Sequence, residues 1–141
     1  MKKKLTLFSA VICFMLLGIS QLTAQKKMGP EFSTSKMEVD FGEVMQNGDG
    51  VREFKFTNSG TEPLLITNAQ GSCGCTIPEW PKDPIMPGKS NVIKIKYDTS
   101  RIGQINKTVT VTTNEVEGKD GNGNPIYKNH VIQVKGNIKQ P

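Results

Sequence analysis

Apolar and polar residues alternate in short segments along most of the chain from residue 36 onward. Five segments place an apolar side chain at every second position, and a sixth is a short apolar run that follows Pro63. The segments are residues 36–41, 53–57, 64–67, 93–97, 108–112 and 131–135. A period of two residues is typical of strands that bury one face, and no window keeps the 3.6-residue period of a helix. The pattern therefore predicts an all-β fold.

Turn-forming residues separate these segments. Asn47–Gly50 is a strong reversal, Pro81–Gly88 is too rich in proline for a central strand, and the glycines of residues 116–125 predict a long mobile connection. Strands this short, with turns this frequent, favour an immunoglobulin-like β-sandwich of about seven strands over residues 34–141. The predicted core consists of Met37, Val39, Phe41, Phe54, Phe56, Leu64, Ile66, Ile93, Ile95, Tyr97, Val109, Val111, Ile132 and Val134.

The N-terminal residues have the layout of a secretory signal peptide. Lys2–Lys4 form a basic region, Leu5–Leu17 is apolar, and Ala24 ends a polar exit. We expect cleavage after Ala24, which leaves residues 25–33 as a flexible tether. The apolar run is shorter than the roughly 20 residues that a membrane span needs. Cys13 follows a bulky Ile12 and comes too early for lipid attachment, so we expect an exported protein of the periplasm or outer envelope, with no integral span after processing.

Removal of residues 1–24 changes the charge and the cysteine content. Three lysines leave, so 18 basic residues become 15 against 13 acidic ones and the formal charge falls from +5 to +2. No arginine-rich stripe remains to indicate nucleic-acid binding. Only Cys73 and Cys75 are left, in a compartment where disulfides form.

The stretch Gly71–Trp80 holds those two cysteines and Trp80, the only tryptophan. Cysteines two positions apart can close a small disulfide ring, which is easier to reduce than an ordinary structural bond. They can equally supply half of a copper(I) or zinc site, act as a redox dithiol, or stay free. The interpretation without any chemical activity is a disulfide that only stiffens the loop. Trp80 is either a recognition residue or a cover for the open end of the sandwich.

Other features point away from catalysis and from a cofactor. The only histidine, His130, lies near a strand start and is expected to cap or pack there. Asp120–Asn124 begins like a calcium loop, but Val131 occupies the position of the bidentate glutamate. No nucleophile has a nearby histidine base, and there are no convincing paired carboxylates. We therefore expect a protein that is not an enzyme.

Several motifs in order resemble the bacterial family called domain of unknown function 1573. They are Phe54–Gly60, Pro63–Ile66, Ser72–Thr76, Pro78–Trp80, Ile85–Gly88 and Tyr97–Thr99. The resemblance covers about residues 41–114 and extends to about residue 138 through the last strand. It implies an immunoglobulin-like fold, akin to modules of cilium- and spindle-associated proteins, in exported proteins of Bacteroidetes-type bacteria. It implies no activity.

These observations together predict a non-enzymatic binding or assembly module of the cell envelope. Its binding residues would be Cys73, Cys75 and Trp80, and its partner another envelope protein or a glycan. The alternative is soft-metal or thiol-redox handling at Cys73 and Cys75.

Overall fold

The computed structural model describes residues 28–141, so the predicted signal peptide and the first part of the tether lie outside the described residues. This part of the chain is all β. The strands are β1 (Phe32–Ser33), β2 (Glu38–Met45), β3 (Val51–Asn58), β4 (Ile66–Gly71), β5 (Thr76–Glu79), β6 (Ser90–Tyr97), β7 (Gly103–Lys119) and β8 (Pro125–Lys139). Residues 28–141 contain no helix long and apolar enough to cross a membrane.

The strands form two four-stranded sheets that pack as a sandwich. The first sheet has the order β1-β3-β6-β5 and the second has the order β2-β8-β7-β4. Most neighbours are antiparallel, but β2 and β8 run parallel, with Val39 beside Val134 and Val44 beside Ile138. The predicted immunoglobulin-like sandwich is therefore confirmed, with eight strands where about seven were expected.

The core lies between the two sheets, where the alternating apolar positions meet. Every residue of the predicted core is buried except Met37, which is partly buried and packs against the others. Burial of such side chains contributes roughly 1.5–3 kcal/mol each. The core also contains residues outside the alternating segments, namely Phe32, Val44, Ala69, Cys75, Ile85, Ile105 and Ile138.

Several predicted boundaries were wrong. The long mobile connection over residues 116–125 does not exist, because β7 continues to Lys119 and β8 begins at Pro125. Only a short turn remains, held by Asp120 Oδ1, which accepts hydrogen bonds from the backbone N–H groups of Asn122 and Asn124. The strand predicted over residues 64–67 is instead β4, which covers Ile66–Gly71. Part of the predicted cysteine loop forms β5.

The predicted tether is too long at its C-terminal end. Phe32 and Ser33 pair with Asn58 and Thr57 of β3, and Phe32 is 7% exposed. The Phe32 ring stacks on Phe56 at a centroid distance of 4.8 Å. The first sheet therefore gains its outermost strand from residues that carry no alternating pattern.

Asn58 is a polar residue within this core, with 0% exposure. Its Nδ2 donates to the carbonyl oxygens of Glu62 at 2.7 Å and Ile85 at 2.8 Å. Its Oδ1 accepts from the N–H groups of Gly60 at 2.9 Å and Glu31 at 3.3 Å. One side chain thus joins the β3–β4 turn, the segment before β1 and the proline-rich segment before β6.

Candidate functional site

The cysteine stretch carries the chain from one sheet to the other. It leaves the second sheet at the end of β4 and enters the first sheet at the start of β5. The crossing is tight, because a Cβ atom at Gly71 would collide with the carbonyl oxygen of Thr76. Glycine is the residue that permits two backbone segments to approach this closely. The crossover between the sheets therefore depends on the glycine that precedes the cysteines.

Backbone hydrogen bonds hold both ends of this loop in place. The N–H of Ser72 donates to the carbonyl of Thr108 at 2.8 Å, and the N–H of Thr108 donates back to Ser72 Oγ at 3.1 Å. At the other end, the N–H of Asp98 donates to the carbonyl of Cys75 at 2.9 Å. The loop is thus anchored to β7 and to the end of β6 by bonds that do not involve the sulfur atoms.

Cys73 and Cys75 are joined as a disulfide, with their Cα atoms 5.2 Å apart. Cys75 is 5% exposed and belongs to the core, whereas Cys73 is only partly buried. The N–H of Cys75 donates to Cys73 Sγ at 3.3 Å, and the hydroxyl oxygen of Thr76 lies 3.7 Å from both sulfur atoms. One sulfur therefore faces the core and the other lies at its margin.

Trp80 follows β5 and packs its ring partly against the core. The Lys82 ammonium lies 3.2 Å from the ring centroid, and the indole N–H is buried without a hydrogen-bond partner in the described chain. A cation over an aromatic face is an attractive contact. The core and Lys82 therefore both contact the Trp80 ring.

The exposed apolar surface of this region is formed by other residues. In the first sheet, Lys96 lies between Val51 of β3 and Ile77 of β5 on the outer face. Ile77 is 52% exposed and Val51 is 41% exposed, and no acidic side chain pairs with Lys96 anywhere in residues 28–141. We call these three residues the Ile77 patch. Of these three residues only Lys96 lies in an alternating segment, and that segment alone does not show that three strands align the row.

The free edge of β5 is closed to strand addition. Successive residues of a strand point their N–H and C=O groups alternately toward and away from the neighbouring strand. The carbonyl of Cys75 bonds to Asp98, so the backbone groups of Ile77 also point toward β6, and those of Pro78 point away from it to solvent. A proline there lacks the N–H group that a new strand would need. A partner at this edge would therefore contact side chains rather than backbone.

A polar cluster around Glu115 lies apart from the cysteine loop. Glu115 is seven positions along β7 from Thr108, or about 23 Å at strand spacing. Glu115 accepts hydrogen bonds from His130 Nε2 at 2.6 Å and from the Thr113 hydroxyl at 2.8 Å. The His130 ring packs against the Phe32 ring at a centroid distance of 4.5 Å and a tilt of 30°. Burial raises the pKa of Glu115, but the hydrogen bonds from His130 and Thr113 outweigh it and lower the pKa below its ordinary value.

This cluster borders a groove of about 640 Å³ between residues 28–30 and residues 114–117. The hydroxyl of Thr113 bonds to the carboxylate of Glu115 and not to the imidazole of His130. His130 packs as predicted, but it lies within β8 and not near the start of a strand, and Glu115 is a partner that the sequence did not reveal. The cluster joins β7, β8 and β1 in one contact.

Among the residues that the structure describes, no group of three or more His, Cys, Asp or Glu side chains is placed to hold a metal ion. Cys73, Cys75 and Trp80 do lie in one region, as their spacing predicts. The two cysteines, however, are bonded to each other.

The family described as "Protein of unknown function (DUF1573)" matches residues 32–121, well over half of the chain. The chain belongs to the DUF1573 family. The match begins at β1 and ends in the β7–β8 turn. It therefore includes the cysteine loop of this DUF1573 domain, and the strand β8, which completes the second sheet, lies beyond it.

Solved structures share the fold of this DUF1573 domain. The ASH/PapD-like domain 7 of human CEP192 has a TM-score of 0.59 at 8% identity, and the match covers 87% of this chain and 94% of that domain. A protein of unknown function from Porphyromonas gingivalis W83 has a TM-score of 0.57 at 18% identity, with 85% of this chain and 51% of that one covered.

The VesB protease of Vibrio cholerae has a TM-score of 0.53 at 12% identity, with 77% of this chain covered. The chain spans only 31% of the length of that protease. Comparison with curated proteins gave no match. At these identities the likeness establishes the PapD-like sandwich fold.

Proposed function

We propose that this protein is a non-enzymatic, exported binding or assembly module of the cell envelope that docks one protein partner on the Ile77 patch. The observation that carries the proposal is the row formed by Val51, Lys96 and Ile77, where an unpaired cation lies between two exposed apolar side chains. Apolar contact supplies affinity at such a surface, and the charge selects the partner.

The chemistry of the patch defines the partner. Lys96 has no acidic neighbour within ion-pair distance in the described part of the chain, so a carboxylate on the partner would gain a charge-assisted hydrogen bond. A polypeptide segment with an Asp or Glu flanked by apolar residues fits this row. The Trp80 ring, on which a glycan could stack in this region, is already contacted by Lys82 and by the core, so the patch favours a polypeptide.

The cysteine loop holds the patch in position. Ile77 follows two residues after Cys75, whose carbonyl is fixed by Asp98. Pro78 restricts the backbone next to Ile77, and a preorganised surface loses less entropy when it binds. Cys75 therefore contributes to binding through its backbone carbonyl, which fixes the chain that leads to Ile77.

The absence of turnover is part of the proposal. In the described range, His130 Nε2 is hydrogen-bonded to the buried Glu115 and the His130 ring packs against Phe32. These contacts hold the ring in a structural role. The likeness to a PapD-like domain of which this chain spans 94%, against 31% of a protease, supports a module that is used for contact rather than for chemistry.

Site-specific cross-linking tests the proposal. A photoreactive amino acid is placed at position 77, and a matched control is placed at Val131, which is 47% exposed on the outer face of the other sheet. Cells of the source organism are irradiated, and the cross-linked proteins are identified by mass spectrometry. We expect one protein to be linked from position 77 and not from position 131.

Charge and shape variants then test the chemistry with that purified partner. Ile77→Asp and Lys96→Glu should each weaken binding at least about tenfold, and Val131→Asp should leave it unchanged. Equal cross-linking from both positions, or equal binding by Ile77→Asp and Val131→Asp, would refute the patch. Binding to a glycan array through Trp80 would refute the protein partner.

A further inference from the structure

The geometry points to a second activity at the same loop: we infer that the Cys73–Cys75 disulfide is a thiol-exchange site, attacked at Cys73 Sγ by an external dithiol. This inference concerns the reactivity of the bond and does not depend on docking at the Ile77 patch. Three observations carry it, namely the anchoring of the loop, the unequal burial of the two sulfur atoms, and the donors around them.

The loop does not need the disulfide to keep its shape. Ser72 is bonded twice to Thr108, Cys75 is bonded to Asp98, and the N–H of Thr76 donates to the carbonyl of Cys73 at 3.3 Å. The cysteines are two positions apart, so the bond restricts very little of the unfolded chain. Reduction therefore costs the domain little stability, whereas a structural disulfide closes a long loop.

Burial decides which sulfur is attacked. Thiol exchange requires a thiolate to approach a sulfur atom in line with the bond that breaks. Cys75 is 5% exposed and lies among core residues, so its sulfur is shielded, while Cys73 is partly exposed at the margin of the core. An external thiolate can therefore reach Cys73 Sγ first.

The reaction is a two-electron exchange in two steps. In the first step a thiolate of the dithiol bonds to Cys73 Sγ, the Cys73–Cys75 bond breaks, and Cys75 leaves with the electron pair. In the second step the other thiolate of the dithiol attacks the dithiol sulfur that is now bonded to Cys73 Sγ. The bond between these two sulfur atoms breaks, and Cys73 leaves as a thiolate. The dithiol loses two protons and two electrons and becomes a disulfide, and the two cysteines take them up as thiols.

The neighbouring groups stabilise both leaving sulfur atoms. The Thr76 hydroxyl lies 3.7 Å from each sulfur and can donate a hydrogen bond to either thiolate. The N–H of Cys75 already points at Cys73 Sγ from 3.3 Å. Hydrogen-bond donors favour the charged form of a thiol and so make it a better leaving group.

Trapping experiments on the full chain, with Cys13 replaced by serine so that Cys73 and Cys75 are its only cysteines, test the inference. The oxidised protein is incubated with reduced glutathione, quenched with acid, and mapped by mass spectrometry, and a parallel sample is reduced with dithiothreitol and followed by circular dichroism. We expect the glutathione adduct on Cys73, complete and reversible reduction by dithiothreitol, and an unchanged β-sheet spectrum. An adduct on Cys75, or reduction only under denaturing conditions, would overturn the inference.

Variants of the same Cys13→Ser chain that keep only one of the two loop cysteines provide an independent readout. The free thiol of Cys75→Ser should react with iodoacetamide at least about tenfold faster than the free thiol of Cys73→Ser. Equal rates in folded variants would contradict the predicted asymmetry. Thr76→Val, which keeps the shape of the side chain but removes the hydroxyl, should slow the reduction of the otherwise intact protein by dithiothreitol severalfold. An unchanged rate would remove Thr76 from the mechanism. Failure of these tests would leave the cross-linking result at position 77 intact, so the two proposals can be judged separately.

Discussion

Replacement of Asn58 by alanine should destabilise this domain more than any exposed polar substitution. Asn58→Ala removes two hydrogen bonds to carbonyl oxygens and two from backbone N–H groups. The carbonyl of Ile85 keeps a bond from the N–H of Leu64 at 2.9 Å, so its loss is partial. The N–H of Gly60 and the carbonyl of Glu62 lose the side-chain partner that joins them to the core.

The magnitude follows from these groups. A buried donor or acceptor left without a partner costs about 1–3 kcal/mol, and a hydrogen bond that water can partly replace contributes about 1 kcal/mol. Two groups of the first kind and two of the second give a loss of about 4–8 kcal/mol for Asn58→Ala. This is a large fraction of the roughly 5–15 kcal/mol by which domains are stable.

Urea denaturation, followed by circular dichroism and by the fluorescence of Trp80, measures the loss. With a slope of about 1–3 kcal/mol/M, a loss of this size should lower the midpoint by more than about 1 M while the slope stays constant. The control is Asn91→Ala, because Asn91 is exposed and accepts only from the N–H of its neighbour Val92. We expect that control to change stability by less than about 0.5 kcal/mol.

A second variant separates the donors from the acceptor. Asn58→Asp keeps the acceptor for Gly60 and Glu31 but replaces the donor to Glu62 and Ile85 with a carboxylate that faces two carbonyl oxygens. It should be at least as destabilising as Asn58→Ala at pH 7. A loss below about 1 kcal/mol for Asn58→Ala, or a loss equal to that of Asn91→Ala, would refute the role of this side chain as the link between three segments.

Three further predictions concern the cysteine loop and the polar cluster around Glu115. Replacement of Cys73 and Cys75 together by serine should cost less than about 2 kcal/mol in the same denaturation assay, and an unfolded protein at 25 °C would show that the disulfide is structural after all. Gly71→Ala should cost about 1–3 kcal/mol, because its Cβ collides with Thr76, and a melting temperature equal to that of wild type would contradict the close approach. Glu115 has a lowered pKa when folded, so its ionised form adds stability above the unfolded pKa of about 4.3, and this stability is lost as the pH falls through the folded pKa. Glu115→Gln should therefore be less stable than wild type at pH 7, with a difference that shrinks below about pH 4.3, whereas a pH-independent difference would show that the loss comes from packing.

The sandwich could be predicted because alternation is a direct consequence of strand geometry. A strand such as Ile93–Tyr97 buries every second residue whatever surrounds it. Residues whose burial depends on tertiary contacts gave no such pattern. Phe32 is buried because it stacks on Phe56 and packs against His130, and nothing near it in the sequence indicates this.

The same distinction holds for the candidate site, where residues close in sequence could be predicted and residues joined by strand pairing could not. Cys73, Cys75 and Trp80 are adjacent in sequence, so their common location was predictable. The Ile77 patch needs the register of three strands, which brings Val51 and Lys96 beside Ile77 from positions 26 and 19 residues away (77 − 51 and 96 − 77). Glu115 and His130 likewise meet through the pairing of β7 with β8, and local sequence holds no information on that register.

The parallel pairing of β2 with β8 has a consequence for the order in which the chain folds. In the described sheet, β8 is the only hydrogen-bonded neighbour of β2, and their pairing extends to Met45 beside Lys139. A ribosome releases β2 long before β8, so β2 has no partner until almost the whole described chain has been made. Contacts between such distant residues slow folding, because the intervening chain must first be ordered. We therefore expect the second sheet to be completed only after almost the whole described chain has left the ribosome.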